Sequence, residues 1–194
     1  MTQTTRQKFT RVSDWHDFLS GLQQRPNQEV NLYELRRTCY QEIELLRGRP
    51  LLVYAVKFPL PPVQPQPPIS IDLDDLDGFT DLVDSASDGN EVDVLLHSPG
   101  GSPEATERIV LLLRSYFNHV TFLIPHSAYS AATMLALSGD QIILNPGASL
   151  GPIDPQINGI PTRALRRGFE KAREALQESG PDALPAYVPL IEKY

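Results

Sequence analysis

Hydrophobic positions along this chain change period part-way through. Near the N-terminus they recur at three-four spacing: Trp15, Phe18, Leu19 and Leu22 share one helical face, and Leu32, Leu35, Cys39, Ile43 and Leu46 share another. The first helix is predicted from an N-cap at Asp14 to just before Pro26. The second runs from about Val30 to Arg47, where Gly48 and Pro50 stop it. From Leu51 the apolar residues fall into short continuous runs instead: Leu51 to Phe58, Val92 to His97, Val120 to Pro125 and Gln141 to Leu144. Runs of that kind predict strands buried on both faces of a parallel sheet. Between them Leu76, Phe79, Leu82 and Val83, then Ala105, Ile109, Leu112 and Leu113, then the stretch from Ser130 to Leu137, return to helical spacing. Strand and helix alternate, so an α/β fold with right-handed crossovers is expected.

The punctuation divides the chain into a tail and helical extension over 1–50, a core over 51–160 and a helical segment over 161–194. In the last, Pro161 opens a helix with Leu165, Phe169, Ala172 and Leu176 aligned, and Ser179-Gly180-Pro181 ends it. The closing DALPAYVPLIEKY either docks on the core or on a partner, or belongs to an architectural unit longer than this chain. Pro59 to Ile69 holds six prolines and predicts a semi-extended loop of polyproline character. Ser87-Asp88-Gly89-Asn90 marks a turn. Asp72, Asp74, Asp75 and Asp77 suggest a calcium loop, but Gly78 falls one place late, Leu76 occupies a ligand position and no closing glutamate follows. Carboxylates capping a helix N-terminus account for them better, so no metal is expected.

Composition narrows the function classes. A formal charge of −7 with no basic stripe argues against nucleic acid as a partner. The single cysteine, Cys39, excludes an intrachain disulfide. The polar N-terminus lacks the apolar region of a secretory signal, and no apolar run reaches the roughly 18 residues of a membrane span. A cytoplasmic protein is expected, with peripheral membrane contact compatible with the sequence.

The candidate chemistry lies at the carboxyl ends of the strands, where ligands gather in open α/β folds. Ser98-Pro99-Gly100-Gly101 closes the second core strand, and Ser130 follows the third. Alone, Ser130 is a helix cap and the glycines a tight turn; at successive strand ends they suggest a site that forms and stabilises an oxyanion. Ser130 would be the nucleophile, the N–H groups of Gly101 and Ala131 the donors, and Gly100 would admit a close backbone approach. Ser127 lies too early for the helix turn to present it. Three side chains compete as general base: His97 beside the glycine turn, His126 four residues before Ser130, and Lys171 on the later helix if burial lowers its pKa.

The residues HSPGG with EATERIV, then VTFLIPHSAYSAATMLALSGDQI and ASLGPIDPQ, resemble the serine dehydrogenase proteinase family, a branch of the Clp peptidase and crotonase superfamily related to signal peptide peptidase A. The resemblance runs from about Leu51 to Gln156. It implies a Clp/crotonase-like ββα spiral that assembles into homo-oligomers, here with an N-terminal helical extension and C-terminal helices. Ser130 matches the nucleophile position, Gly101 and Ala131 match the oxyanion-hole positions, and Gly100 and Asp154 lie in the matching substrate-binding motifs. No histidine follows Ser130, unlike the Clp branch, while Lys171 and Lys193 are the lysines on the side where the signal peptide peptidase branch carries its base. Ala132 stands where glycine is more usual. No cofactor is implied, and no lysine sits in a pyridoxal phosphate setting. The expectation is a serine peptidase-like hydrolase acting on a peptide or protein; the alternatives are a non-catalytic peptide-binding or scaffold protein of the same fold and a crotonase-like acyl-CoA enzyme.

Overall fold

The computed structural model describes residues 11–23, 31–58, 69–86, 89–157 and 160–188. In chain order it begins with α1 (Val12–Gln23), α2 (Leu32–Arg47), β1 (Leu51–Ala55), α3 (Asp75–Ser85), β2 (Glu91–His97), α4 (Pro103–Tyr116) and β3 (His119–Ile124). Next come β4 (Ser127–Ala128), α5 (Ala131–Leu137), β5 (Gln141–Leu144), β6 (Ser149–Leu150), β7 (Gln156–Ile157), β8 (Ile160–Pro161) and α6 (Thr162–Ser179). A 3-10 turn over Pro181–Ala186 follows. The chain divides into two units, 1–47 and 48–194.

In the first unit the helix boundaries are set by side-chain caps. The Arg11 N–H donates to Asp14 Oδ2 at 2.9 Å, so Asp14 caps α1 from inside its first turn and the helix begins at Val12, ahead of the predicted cap. Asn31 Oδ1 accepts the N–H groups of Tyr33 and Glu34, which fixes the start of α2 at Leu32 rather than Val30.

In the second unit the four apolar runs form one parallel sheet in the order β1-β2-β3-β5. Val53, Leu95, Leu123 and Ile143 share one row across it. Val92, Val94, Leu96, Val120, Phe122 and Ile124 are buried with Phe79 and Val83 of α3, Ala105, Ile109 and Leu113 of α4, and Leu135 of α5. Each valine, leucine, isoleucine or phenylalanine among them contributes about 1.5–3 kcal/mol by leaving water. Of the predicted stripes, Phe79 and Val83 of α3 and Ala105, Ile109 and Leu113 of α4 are buried, Leu76, Leu82 and Leu112 are partly buried against them, and Thr106 is added to that of α4. Pro103 sits in the first turn of α4 and Ser102 Oγ accepts the Ala105 N–H.

The aspartate cluster closes the entrance to α3. The Asp74 N–H donates to Asp72 Oδ1, the Asp72 N–H to Asp75 Oδ2, and the Tyr54 hydroxyl to the same Asp75 oxygen at 2.9 Å. Burial, with Asp75 beside it, pushes the Tyr54 phenol well above its ordinary pKa, so it stays a donor and ties α3 to β1.

Four strands were not predicted. β4, β6, β7 and β8 have two residues each, too few to display a period. On α6, Leu165 and Ala172 are buried while Phe169 and Leu176 remain exposed, so half of the predicted stripe is covered. The proline-rich loop, all but Ile69, lies outside the described residues, as do Ser87, Asp88 and the terminal segment with Lys193.

Candidate active site

The site begins where β2 runs out. Beyond His97 the chain continues as an extended turn that pairs with β4: the Ser98 N–H donates to the Ser127 carbonyl at 3.2 Å, and the Tyr129 N–H donates to the Ser98 carbonyl at 3.1 Å. β4 in turn pairs in parallel with β6, Ser127 opposite Ser149 and Ala128 opposite Leu150. A small second layer of backbone thus caps the carboxyl ends of the main strands. On its other side the glycine turn is held by Ile71, whose N–H donates to the Gly100 carbonyl at 2.9 Å and whose carbonyl accepts the Ser102 N–H at 2.7 Å. Ser98 Oγ accepts the Gly100 N–H at 3.1 Å and closes the turn locally.

Ser130 stands between β4 and α5 with φ 52° and ψ −120°. Among the described residues no other non-glycine has a positive φ. The Ala132 N–H donates to the Tyr129 carbonyl at 3.0 Å, so residues 129–132 form a hydrogen-bonded turn with Ser130 at its first central position. Those dihedrals match a type II′ turn, whose first central position favours glycine. A serine there is strained by about 1–3 kcal/mol. A strained strand-to-helix turn is also how α/β hydrolases lift a nucleophilic serine clear of the sheet.

Gly100 packs against this elbow. A Cβ added to it would lie 2.5 Å from the Tyr129 carbonyl oxygen, 2.8 Å from Ser130 Cβ and 3.0 Å from the Ala131 nitrogen, and its own φ is 102°. The structure therefore brings the glycine turn and Ser130 together. Among the described residues, neither the Gly101 N–H nor the Ala131 N–H makes a hydrogen bond, and Ser130 Oγ has no hydrogen-bond partner.

The two histidines at this end of the sheet are both anchored on Ser127. His97 Nδ1 lies 3.1 Å from the Ser127 carbonyl and His126 Nδ1 lies 2.6 Å from Ser127 Oγ, with their rings 5.5 Å apart, edge to face. A carbonyl only accepts, so His97 carries its proton on Nδ1 and leaves Nε2 free to take one. Burial holds the His97 pKa below its ordinary value, with nearby His126 adding to the effect and the Ser127 hydrogen bond opposing it. Phe58 stacks on His97 at 4.6 Å and meets the Tyr129 ring edge-on at 6.0 Å. The Tyr129 hydroxyl lies 3.2 Å from Ser149 Oγ, and hydrogen bonds from Ser127 and Ser149 draw its phenol pKa down.

The other candidates lie differently. Lys171 is exposed on α6, so the burial on which a role as base depends is not provided among the described residues. Asp154 is largely buried, and its carboxylate is 3.2 Å from the Arg163 guanidinium at the start of α6. Phe58 and Thr133 carry no sequence signal of a place at this site, and position alone argues against Ser127. For Gly151 the one signal is the LGP segment itself, which places it in a motif without saying what it touches.

Residues 68–179 match the family model described as ClpP-like SDH-type serine proteinase. The chain belongs to this family. The matched span contains the SPGG turn, the Ser130 elbow and the LGPIDPQ segment, and it extends past Gln156 through α6. Among curated proteins, the chain is 28% identical over 148 residues to Uncharacterized protein MJ1495 of Methanocaldococcus jannaschii, covering 74% of the chain and 49% of the relative. It is 30% identical over 101 residues to Uncharacterized protein MJ0137 of the same organism, covering 52% and 35%. The chain thus spans half or less of the length of these curated relatives. Among solved structures it is similar to a serine-to-alanine mutant of the 1510-N membrane-bound stomatin-specific protease, with TM-score 0.45 and 24% identity over 72% of this chain and 68% of that one. It is also similar to the ClpP protease catalytic domain from Plasmodium falciparum, with TM-score 0.41 and 11% identity over 59% and 53%.

Proposed function

We propose that this chain is a peptidase-type serine hydrolase with Ser130 as its nucleophile. The observation that carries the reading is the backbone of Ser130, a non-glycine residue held at φ 52° directly against Gly100. Ser130 Oγ attacks the carbonyl carbon of a peptide bond and gives its proton to a general base. The N–H groups of Gly101 and Ala131 hold the oxyanion of the tetrahedral intermediate. The C–N bond breaks, the amine leaves with the proton, and water then hydrolyses the acyl ester and frees Ser130. The base is drawn from His97, whose lowered pKa keeps its Nε2 unprotonated at neutral pH, from His126, or from Lys171 if assembly covers it. Gly100 and Asp154 line the substrate side.

On this reading the site lies in the core over 51–160, with 1–50 and 161–194 as additions to it. The substrate is a peptide or protein, no cofactor takes part, and the working form is a cytoplasmic homo-oligomer. The exposed Ile143 and Leu144 of the edge strand β5, with Leu137 at the end of α5, are consistent with contact between copies. Among the described residues no helix is long and apolar enough to cross a membrane. The test is labelling with an active-site-directed fluorophosphonate: the wild type is expected to be labelled and Ser130→Ala not. An unlabelled, folded and assembled wild type, or equal labelling of Ser130→Ala, would overturn the reading. A second reading, a peptide-binding member of the family that leaves its ligand intact, is favoured by the unpartnered Ser130 Oγ; peptide binding without labelling is its signature.

A further inference from the structure

A strained residue persists only where its surroundings over-determine it. Gly100 crowds Ser130 from one side, but it cannot by itself fix the turn, because it contributes no side chain. The remaining restraints come from the residues flanking Ser130, and both converge on Gly151, which arrives from β6. On the C-terminal side, Thr133 is buried, and its hydroxyl lies 2.8 Å from the Ala128 carbonyl and 3.0 Å from the Gly151 carbonyl. One proton serves two acceptors, so the hydroxyl joins the end of β4 to the end of β6 across the first turn of α5. On the N-terminal side, the Tyr129 side chain fills the space beside Gly151: a Cβ there would lie 2.5 Å from Tyr129 Cδ1 and 3.0 Å from its Cβ and Cγ. The Gly151 N–H completes the join by donating to the Ala128 carbonyl at 2.9 Å.

We infer that Thr133 and Gly151 are a positioning pair for the nucleophile: they clamp the Ser149–Gly151 segment against both flanks of Ser130 and so hold its strained backbone. Neither touches the reacting atoms. The consequence is that the reactivity of Ser130 depends on a segment some twenty residues downstream being docked. This inference rests on the hydrolase reading above, and the experiment separates the two.

The second-order rate of fluorophosphonate labelling is measured for the wild type, Thr133→Val, Thr133→Ser and Gly151→Ala, with urea unfolding to confirm that each is folded. Thr133→Val keeps the shape and removes the hydroxyl. It is expected to lower the rate at least tenfold, as small misplacements of a reacting group do. Thr133→Ser, which keeps the hydroxyl, stays within about threefold of the wild type by the same criterion. With a peptide substrate the loss falls on kcat and not on KM. In hydrogen exchange, Thr133→Val exposes the Gly151 amide while leaving β2 and β3 protected. Gly151→Ala is slowed like Thr133→Val, because its methyl displaces Tyr129. Labelling of Thr133→Val or Gly151→Ala at the wild-type rate overturns the inference and leaves Ser130 as nucleophile, and so does an equal loss in Thr133→Val and Thr133→Ser, which indicates packing alone. A wild type that is not labelled overturns the hydrolase reading, and this inference with it.

Discussion

Two strand-to-helix junctions lie side by side in this molecule and meet the same geometric demand differently. Between β2 and α4 the chain turns on Gly100, at φ 102°, where the lack of a side chain makes the conformation inexpensive. Between β4 and α5 it turns on Ser130, at φ 52°, in a turn that glycine would fit without strain. The first junction also has an orthodox cap, Ser102, whose hydroxyl accepts the Ala105 N–H, whereas the Ser130 side chain caps nothing. On the reading proposed above, a hydroxyl that neither caps its helix nor relieves its backbone serves the reaction. A serine that caps its helix and one that stands apart from it are thus told apart by their dihedrals and hydrogen bonds, not by residue type.

That contrast can be broken from the glycine side with the largest effect. Gly100→Ala forces a Cβ within 2.5 Å of the Tyr129 carbonyl oxygen at a positive φ. Overpacking plus strain is expected to cost about 2–4 kcal/mol in urea unfolding and to abolish fluorophosphonate labelling. Wild-type stability in this variant would mean that the two turns are not in contact. A smaller effect comes from the cap. Ser102→Ala is expected to lose about 1 kcal/mol, with labelling little affected, because it weakens α4 without moving the elbow. A drop in labelling equal to that of Gly100→Ala would remove the distinction between the junctions.

The smallest effect is a pH dependence from His97. Its folded pKa lies below the unfolded value of about 6.5, so in the mildly acidic range the unfolded chain binds more protons than the folded one. The stabilising contribution is complete above that unfolded value and is lost as pH falls through the folded one. Unfolding measured between neutral and mildly acid pH should show stability declining, and His97→Gln should flatten the decline. An unchanged slope in the variant would place the titration elsewhere.

Much of the fold was legible in the sequence because β1, β2, β3 and β5 are continuous apolar runs and the intervening helices carry clear stripes. The site was legible in outline: the proximity of Gly100 and Ser130 followed from their places at adjacent strand ends. The small second layer was not, because β4 and β6 are held by backbone hydrogen bonds over two residues each and leave no pattern in side-chain type. The part of Thr133 and the contact of Ser127 with His97 were hidden for the same reason, since they depend on carbonyl groups that any residue could supply. Nor could sequence show that Phe58 would stack on His97, or that the dihedrals of Ser130 would be those of a glycine.

Ser130→Gly isolates the central claim, because it relaxes the elbow while deleting the hydroxyl. Releasing the strain, less the added freedom of the unfolded chain, is expected to raise stability by about 0.5–1 kcal/mol. A higher urea midpoint than wild type, together with complete loss of labelling, is therefore expected. A midpoint equal to or below wild type would contradict it, since Ser130 would then not be held under strain for the sake of its hydroxyl.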